Sequence, residues 1–208
     1  MKPLIVINLK TYHSGKAALA LAKKIQAVNK NIILGAQPTD ISLLKNNTKL
    51  KIYAQHIDNC TPGRNTGFIT PESVKIAGAE GVFLNHSEHK LYFKTIKETT
   101  ALCKKIGLKT LIFAKDTTEA KKIEKLKPDY IAIEPPELVA GKKSVSTEKP
   151  ELIKKIKKTL KSKFLVGAGI KTNTDVKIAM KLGASGIAIS SAITKAKNPK
   201  AVLKSLIK

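Results

Sequence analysis

Tryptophan is absent from the 208 residues, aromatics make up 4%, and Arg64 is the sole arginine. Cysteine is scarce as well: Cys60 and Cys103 stand alone, in neither a C-x-x-C nor a metal-ligand spacing. Two isolated thiols give no disulfide framework and read as reduced, structural residues. No stretch approaches the roughly 20 consecutive apolar residues of a membrane-spanning helix. The opening "MKPLIVINLK" holds one apolar tetrad before polar residues resume, which does not fit a signal peptide. The cytoplasm is therefore the expected compartment.

Acidic residues are also few, with 15 Asp and Glu against 39 Lys and Arg, giving a formal net charge of +24. Such a field attracts nucleic acids or small anions. With one arginine the chain lacks the bidentate forks that read bases and phosphates. No aromatic cluster offers a stacking platform. The lysines spread over every amphipathic stretch ("AKKI", "CKKI", "AKKIEKLK", "LIKKIKKTLKSK") and form no single block. The charge reads as a generally basic, lysine-biased surface ahead of a dedicated nucleic-acid face, and such a field would also help attract a phosphorylated substrate. A basic scaffold that binds nucleic acid is the alternative of a different class.

What is present is a regular alternation. Short apolar runs recur as "LIVIN" (4–8), "IILGA" (32–36), "KIYAQ" (51–55), "VFLN" (82–85), "TLIFA" (110–114), "YIAIE" (130–134), "FLVGA" (164–168) and "IAIS" (187–190). Lysine-rich segments of helical period separate them. Thr70-Pro71-Glu72, Thr117-Thr118-Glu119 and Asn173-Thr174-Asp175 read as helix starts, and Gly78, Gly107 and Gly183 as helix ends. Near-continuous apolar strands suit a parallel sheet covered by helices. Eight βα units with right-handed crossovers close into a (β/α)₈ barrel, expected as one domain over residues 1–208. At 26 residues per unit (208 divided by 8) there is little room for insertions. An open doubly wound sheet is the runner-up, weakened because the first turn, "NLKTYHSGK", lacks G-x-G-x-x-G.

A barrel places its active site at the C-terminal strand ends. Those ends carry Asn8 and Lys10, Gln55, Asn85, His86 and Glu88, Glu134, Gly167 to Gly169, and Ser190 with Ser191. Core packing alone does not call for polar residues and glycines at one end of most strands.

"VINLKTY", "AQHID" with "GRNTGFITPESV", "NHSEH", "YIAIEPPEL", "VGAGI" and "GASGIAISSAITKAKNP" follow in an order and spacing that resembles triosephosphate isomerase in its short archaeal form. The resemblance covers essentially the whole chain. It implies a triose phosphate substrate, dihydroxyacetone phosphate or D-glyceraldehyde 3-phosphate, interconverted through an enediolate without metal or organic cofactor. By the same resemblance Glu134 is the catalytic base, and His86 the neutral electrophile at a helix starting near Ser87. Lys10 is the fixed cation. This division of acid and base roles is a familiar one for such enzymes. Asn8, Glu88, Ser87 and Gln55 are the supporting polar residues. The phosphate is expected on backbone N–H groups of Ala140, Gly169, Ser190 and Ser191. Pro135 and Pro136 are the hinge of a lid reaching to about residue 143. Thr66 matches a position that enters a partner subunit's site, which implies a homo-oligomer, dimer or tetramer. Departures are Ala140 and Lys142, where relatives usually carry glycine, and His89, where many carry arginine. Another phosphate-gripping barrel, such as a sugar-phosphate epimerase, is the nearest alternative enzyme.

Overall fold

A computed structural model describes residues 3–139 and 144–208. Among the described residues there are eight strands: β1 (Leu4–Asn8), β2 (Ile33–Ala36), β3 (Lys51–Ala54), β4 (Gly81–Leu84), β5 (Lys109–Ala114), β6 (Tyr130–Ile133), β7 (Phe164–Val166) and β8 (Gly186–Ile189). Each pairs in parallel with the next, and β8 returns to β1, so the sheet is a closed barrel. All eight runs read from the sequence are strands, most of them within a residue of the expected bounds. Gly167 and Ala168 have already left β7.

The apolar runs are explained by what lies on each side. Val6, Tyr53, Phe83, Leu111 and Leu165 fill the barrel interior. Their strand neighbours Ile5, Ile7, Ile52, Val82 and Leu84 face outward into a second core beneath the helices. Both faces of each strand are dry, so no polar alternation appears. Phe83 is the hub of the interior, 5.6 Å from the Phe113 ring and 6.0 Å from Tyr53 between centroids.

The helices of the described residues begin with α1 (Gly15–Gln26), α2 (Ile41–Asn47), α3 (Pro71–Ile76), α4 (Phe93–Lys105) and α5 (Thr117–Glu124). They continue with α6 (Val145–Glu148), α7 (Pro150–Thr159), α8 (Asn173–Lys181), α9 (Ser191–Thr194) and α10 (Pro199–Leu206). Thr70 caps α3 as expected, accepting the Ser73 N–H. Two other caps lie one residue earlier than the sequence suggests. Asp116 caps α5 and Thr172 caps α8, because each is extended and stands three residues before an acid whose N–H it accepts. At α8 the exchange is reciprocal, a capping box between Thr172 and Asp175. Gly78, Gly107 and Gly183 follow α3, α4 and α8 at positive φ, as read.

Candidate active site

Lys10 lies two residues beyond β1 with φ of 49°, a left-handed conformation that is strained for lysine. Neighbours hold it there from both sides. Oδ1 of Asn8 accepts the Lys10 N–H at 2.9 Å, and Nε2 of Gln55 donates to the Lys10 carbonyl at 2.9 Å. The ammonium is then aimed at Glu88, whose Oε1 is 2.5 Å from Nζ. Asn8, Gln55 and Glu88 therefore meet at Lys10.

His86 is buried, with its ring edge against Phe113 at 4.8 Å between centroids. The Glu88 N–H donates to His86 Nδ1 at 3.2 Å. An Nδ1 that accepts leaves Nε2 to carry the proton of the neutral ring. Nε2 lies 3.2 Å from Oε2 of Glu134. The expected helix near Ser87 is not there. Residues 87–89 make a turn in which the His89 N–H reaches the His86 carbonyl at 2.8 Å, and α4 begins only at Phe93. The cause is Asn85, whose Oδ1 takes the Leu91 N–H at 3.1 Å and closes the loop before a helix can start. Ser87 sits in this turn with its hydroxyl buried and unpartnered among the described residues.

Glu134 follows β6, is 9% exposed, and continues the ladder by donating its N–H to the Ala114 carbonyl at 2.9 Å. Its carboxylate occupies space that Gly167 leaves free: a Cβ there would stand 2.1 Å from Oε1. The sequence points to Gly169 in this segment for the phosphate, and the room that Gly167 makes for Glu134 is not visible in it.

Beyond Glu134, Pro135 and Pro136 lead into a short 3₁₀ turn (Pro136–Leu138). Glu137 pairs with Lys149, whose ammonium holds the Glu137 carboxyl below its ordinary range. On the far side the Val145 N–H donates to the Ala168 carbonyl at 3.1 Å. Ala140 and the rest of the expected lid tip lie outside the described residues.

Gly169, Ser190 and Ser191 line the same cleft as Asn8, Lys10, His86 and Glu134. Ala168 and Gly169 both have φ of 72°. The Ser190 hydroxyl is buried without a partner among the described residues. Tyr12, Val139 and Lys171 also line the cleft and were not singled out from the sequence. Lys171 follows "GAGI" directly, so its place beside the turn was available from spacing. Thr66 is exposed on the loop after β3 and lines no part of the cleft of its own chain. A larger cavity of about 680 Å³ opens at the opposite end of the barrel near Lys51, Tyr130 and Lys163, away from every expected site residue. Among the described residues no cluster of three or more His, Cys, Asp or Glu side chains is placed to hold a metal ion.

A carboxylate, an imidazole N–H and an ammonium thus surround one cleft. That set can remove a proton from a carbon next to a carbonyl and stabilise the oxyanion that develops.

The triosephosphate isomerase family model matches residues 3–207. The triosephosphate isomerase of Methanocaldococcus jannaschii is 38% identical over 216 residues, covering 99% of both chains. That of Saccharolobus solfataricus is 41% identical over 99% of this chain and 95% of its own. A crystal structure of triosephosphate isomerase from Bartonella henselae shares the barrel with a TM-score of 0.78 over 100% of each chain, at 20% identity.

Proposed function

This chain belongs to the triosephosphate isomerase family, and from that membership we propose how its own residues interconvert dihydroxyacetone phosphate and D-glyceraldehyde 3-phosphate. Glu134 is the base that removes the proton from the carbon beside the carbonyl and returns it to the neighbouring carbon. His86 donates its Nε2–H to the carbonyl oxygen, and Lys10 stabilises the charge that gathers on the enediolate oxygens. The observation that carries this assignment is the 3.2 Å approach of Glu134 to Nε2 of His86 in the cleft that Lys10 also lines. Substrate entry separates the two groups and puts the reacting carbons between them.

The phosphate is bound by N–H groups of Gly169, Ser190 and Ser191, which line the cleft. Lys171 adds a cation at that end. A coupled assay with glyceraldehyde 3-phosphate tests the reading, and a Glu134→Gln variant with unchanged turnover would overturn it.

The functional unit is a homo-oligomer of at least two chains. Phe68, 58% exposed, and Thr66 stand on a loop that Asp58 and Asn65 brace from within, a shape suited to entering a partner's cleft. Sedimentation at micromolar concentration checks this: a monomer with full activity removes the role of Thr66. Among the described residues no helix is long and apolar enough to cross a membrane. We place the enzyme in the cytoplasm, where triose phosphates are formed and consumed.

A further inference from the structure

One carboxylate outside the cleft reaches the turn that carries His86 and Glu88. Glu119 lies in the first turn of α5, where its N–H is accepted by Oδ1 of the cap Asp116 at 2.8 Å. An acid in that place ordinarily serves only its own helix. Here the side chain folds back across the end of β5. Oε2 accepts the Lys115 N–H at 2.7 Å. Oε1 accepts two donors from the segment after β4, Nδ2 of Asn85 at 2.9 Å and Nζ of Lys90 at 2.8 Å. Asn85 and Lys90 bracket residues 86–89.

Asn85 needs such support. It is 1% exposed with φ of 61°, and left-handed backbone in a non-glycine residue persists only where the surroundings over-determine it. Besides Glu119, Asn85 donates to the Phe113 carbonyl at 2.8 Å and accepts from Leu91. Burial raises the Glu119 pKa, but the Lys90 ammonium, the Lys115 N–H and the Asn85 amide outweigh it and hold the carboxyl below its ordinary range. The group is charged whenever the enzyme works near neutral pH.

We propose that Glu119 is a positioning residue for the isomerase. By tying Asn85 and Lys90 to one oxygen, it sets the turn from which His86 meets Glu134 and Glu88 meets Lys10. The inference rests on the reading of His86 and Lys10 given above. A displacement of about 1 Å at a reacting group can lower a rate about 100-fold, so a clamp of this kind acts on turnover before it acts on binding.

Two variants test it. Glu119→Gln keeps the shape but puts an amide N–H₂ among donors; kcat is expected to fall about 10-fold with KM within about twofold. Lys90→Met removes one arm from a side chain that is 41% exposed, so folding is not at stake, and kcat is expected to fall about threefold. The ¹⁵N resonances of the His86 ring should move in both variants, and the Leu91 amide should exchange faster. Folded variants with kcat within twofold of wild type and unmoved His86 resonances would overturn the proposal. Were the wild type itself inactive on triose phosphates, the proposed function would fall, while the His86 resonances would still decide whether the clamp exists.

Discussion

Oε2 of Glu134 lies 3.2 Å from Nε2 of His86, so the proposed base and proton donor touch across the space a substrate must enter. Reach is then the critical property of Glu134. Glu134→Asp withdraws the carboxylate by one methylene without changing its charge. Its kcat should fall about 100-fold or more, with KM changed far less, because the lost contact is made mainly in the transition state. Steady-state kinetics in both directions measure the split. A raised KM at unchanged kcat would assign Glu134 to binding instead.

Gly167 is the second determinant of that contact. A methyl group at this position would stand 2.1 Å from Oε1, 2.5 Å from Cγ and 2.7 Å from Cδ of Glu134. Real Cβ atoms do not approach so closely, so Gly167→Ala must displace the carboxylate. We expect kcat to fall at least about 10-fold while the fold is kept, since the strain is relieved by moving one side chain at the cleft. Turnover near wild type in a folded variant would show that Glu134 acts from another rotamer.

The fold was legible because each strand is dry on both faces, so "LIVIN", "KIYA" and "YIAI" stand out as apolar runs. The candidate site was legible because Lys10, His86 and Glu134 are polar exceptions at the ends of such runs. What escaped the sequence was set by contacts between distant residues. Nothing near Glu119 announces that it bonds Asn85, 34 positions away. Nothing in "GAG" says that its first glycine makes room for Glu134. The helix expected at Ser87 failed for a similar reason, since Asn85 captures the Leu91 N–H from within the loop.

Acid should weaken the fold through Asp175. Burial raises its pKa, but the Lys171 and Thr172 N–H groups and the hydroxyls of Thr172 and Ser144 outweigh it and bring it below its ordinary 3.8. A folded-state pKa below the unfolded one means that the unfolded chain binds more protons in that window. The contribution is complete above about 3.8 and is lost as pH falls through the lower folded value. Asp175→Asn should cost about 1 kcal/mol at pH 7, the loss of a charged partner in a capping box, and should soften the decline in acid. Urea melts from pH 7 to pH 3 measure both. Parallel pH profiles for the two proteins would exclude Asp175 as a source of the acid sensitivity.

Histidine supplies a second pH dependence, nearer the cleft. The rings of His56 and His89 stack with centroids 4.0 Å apart and planes 20° apart, while Nε2 of His56 faces Oδ1 of Asp58 at 3.4 Å. Burial first, and then His89, bring the His56 pKa below its ordinary 6.5 against the opposing pull of Asp58. The unfolded chain therefore takes up the proton first, and stability falls as pH drops below about 6.5 toward the folded value. The pair joins two parts of the site: His89 belongs to the turn of His86, and His56 follows Gln55, which holds the Lys10 carbonyl. Charging the stack pushes these parts away from each other. His89→Phe keeps a flat ring but removes the second charge, so His56 should titrate at higher pH and the loss of stability in mild acid should shrink. The Cε1 proton shift of His56 and the urea midpoint between pH 7 and 5 follow the two effects. A His56 that titrates at or above 6.5 in the wild type would show that Asp58, and not the stack, governs this ring.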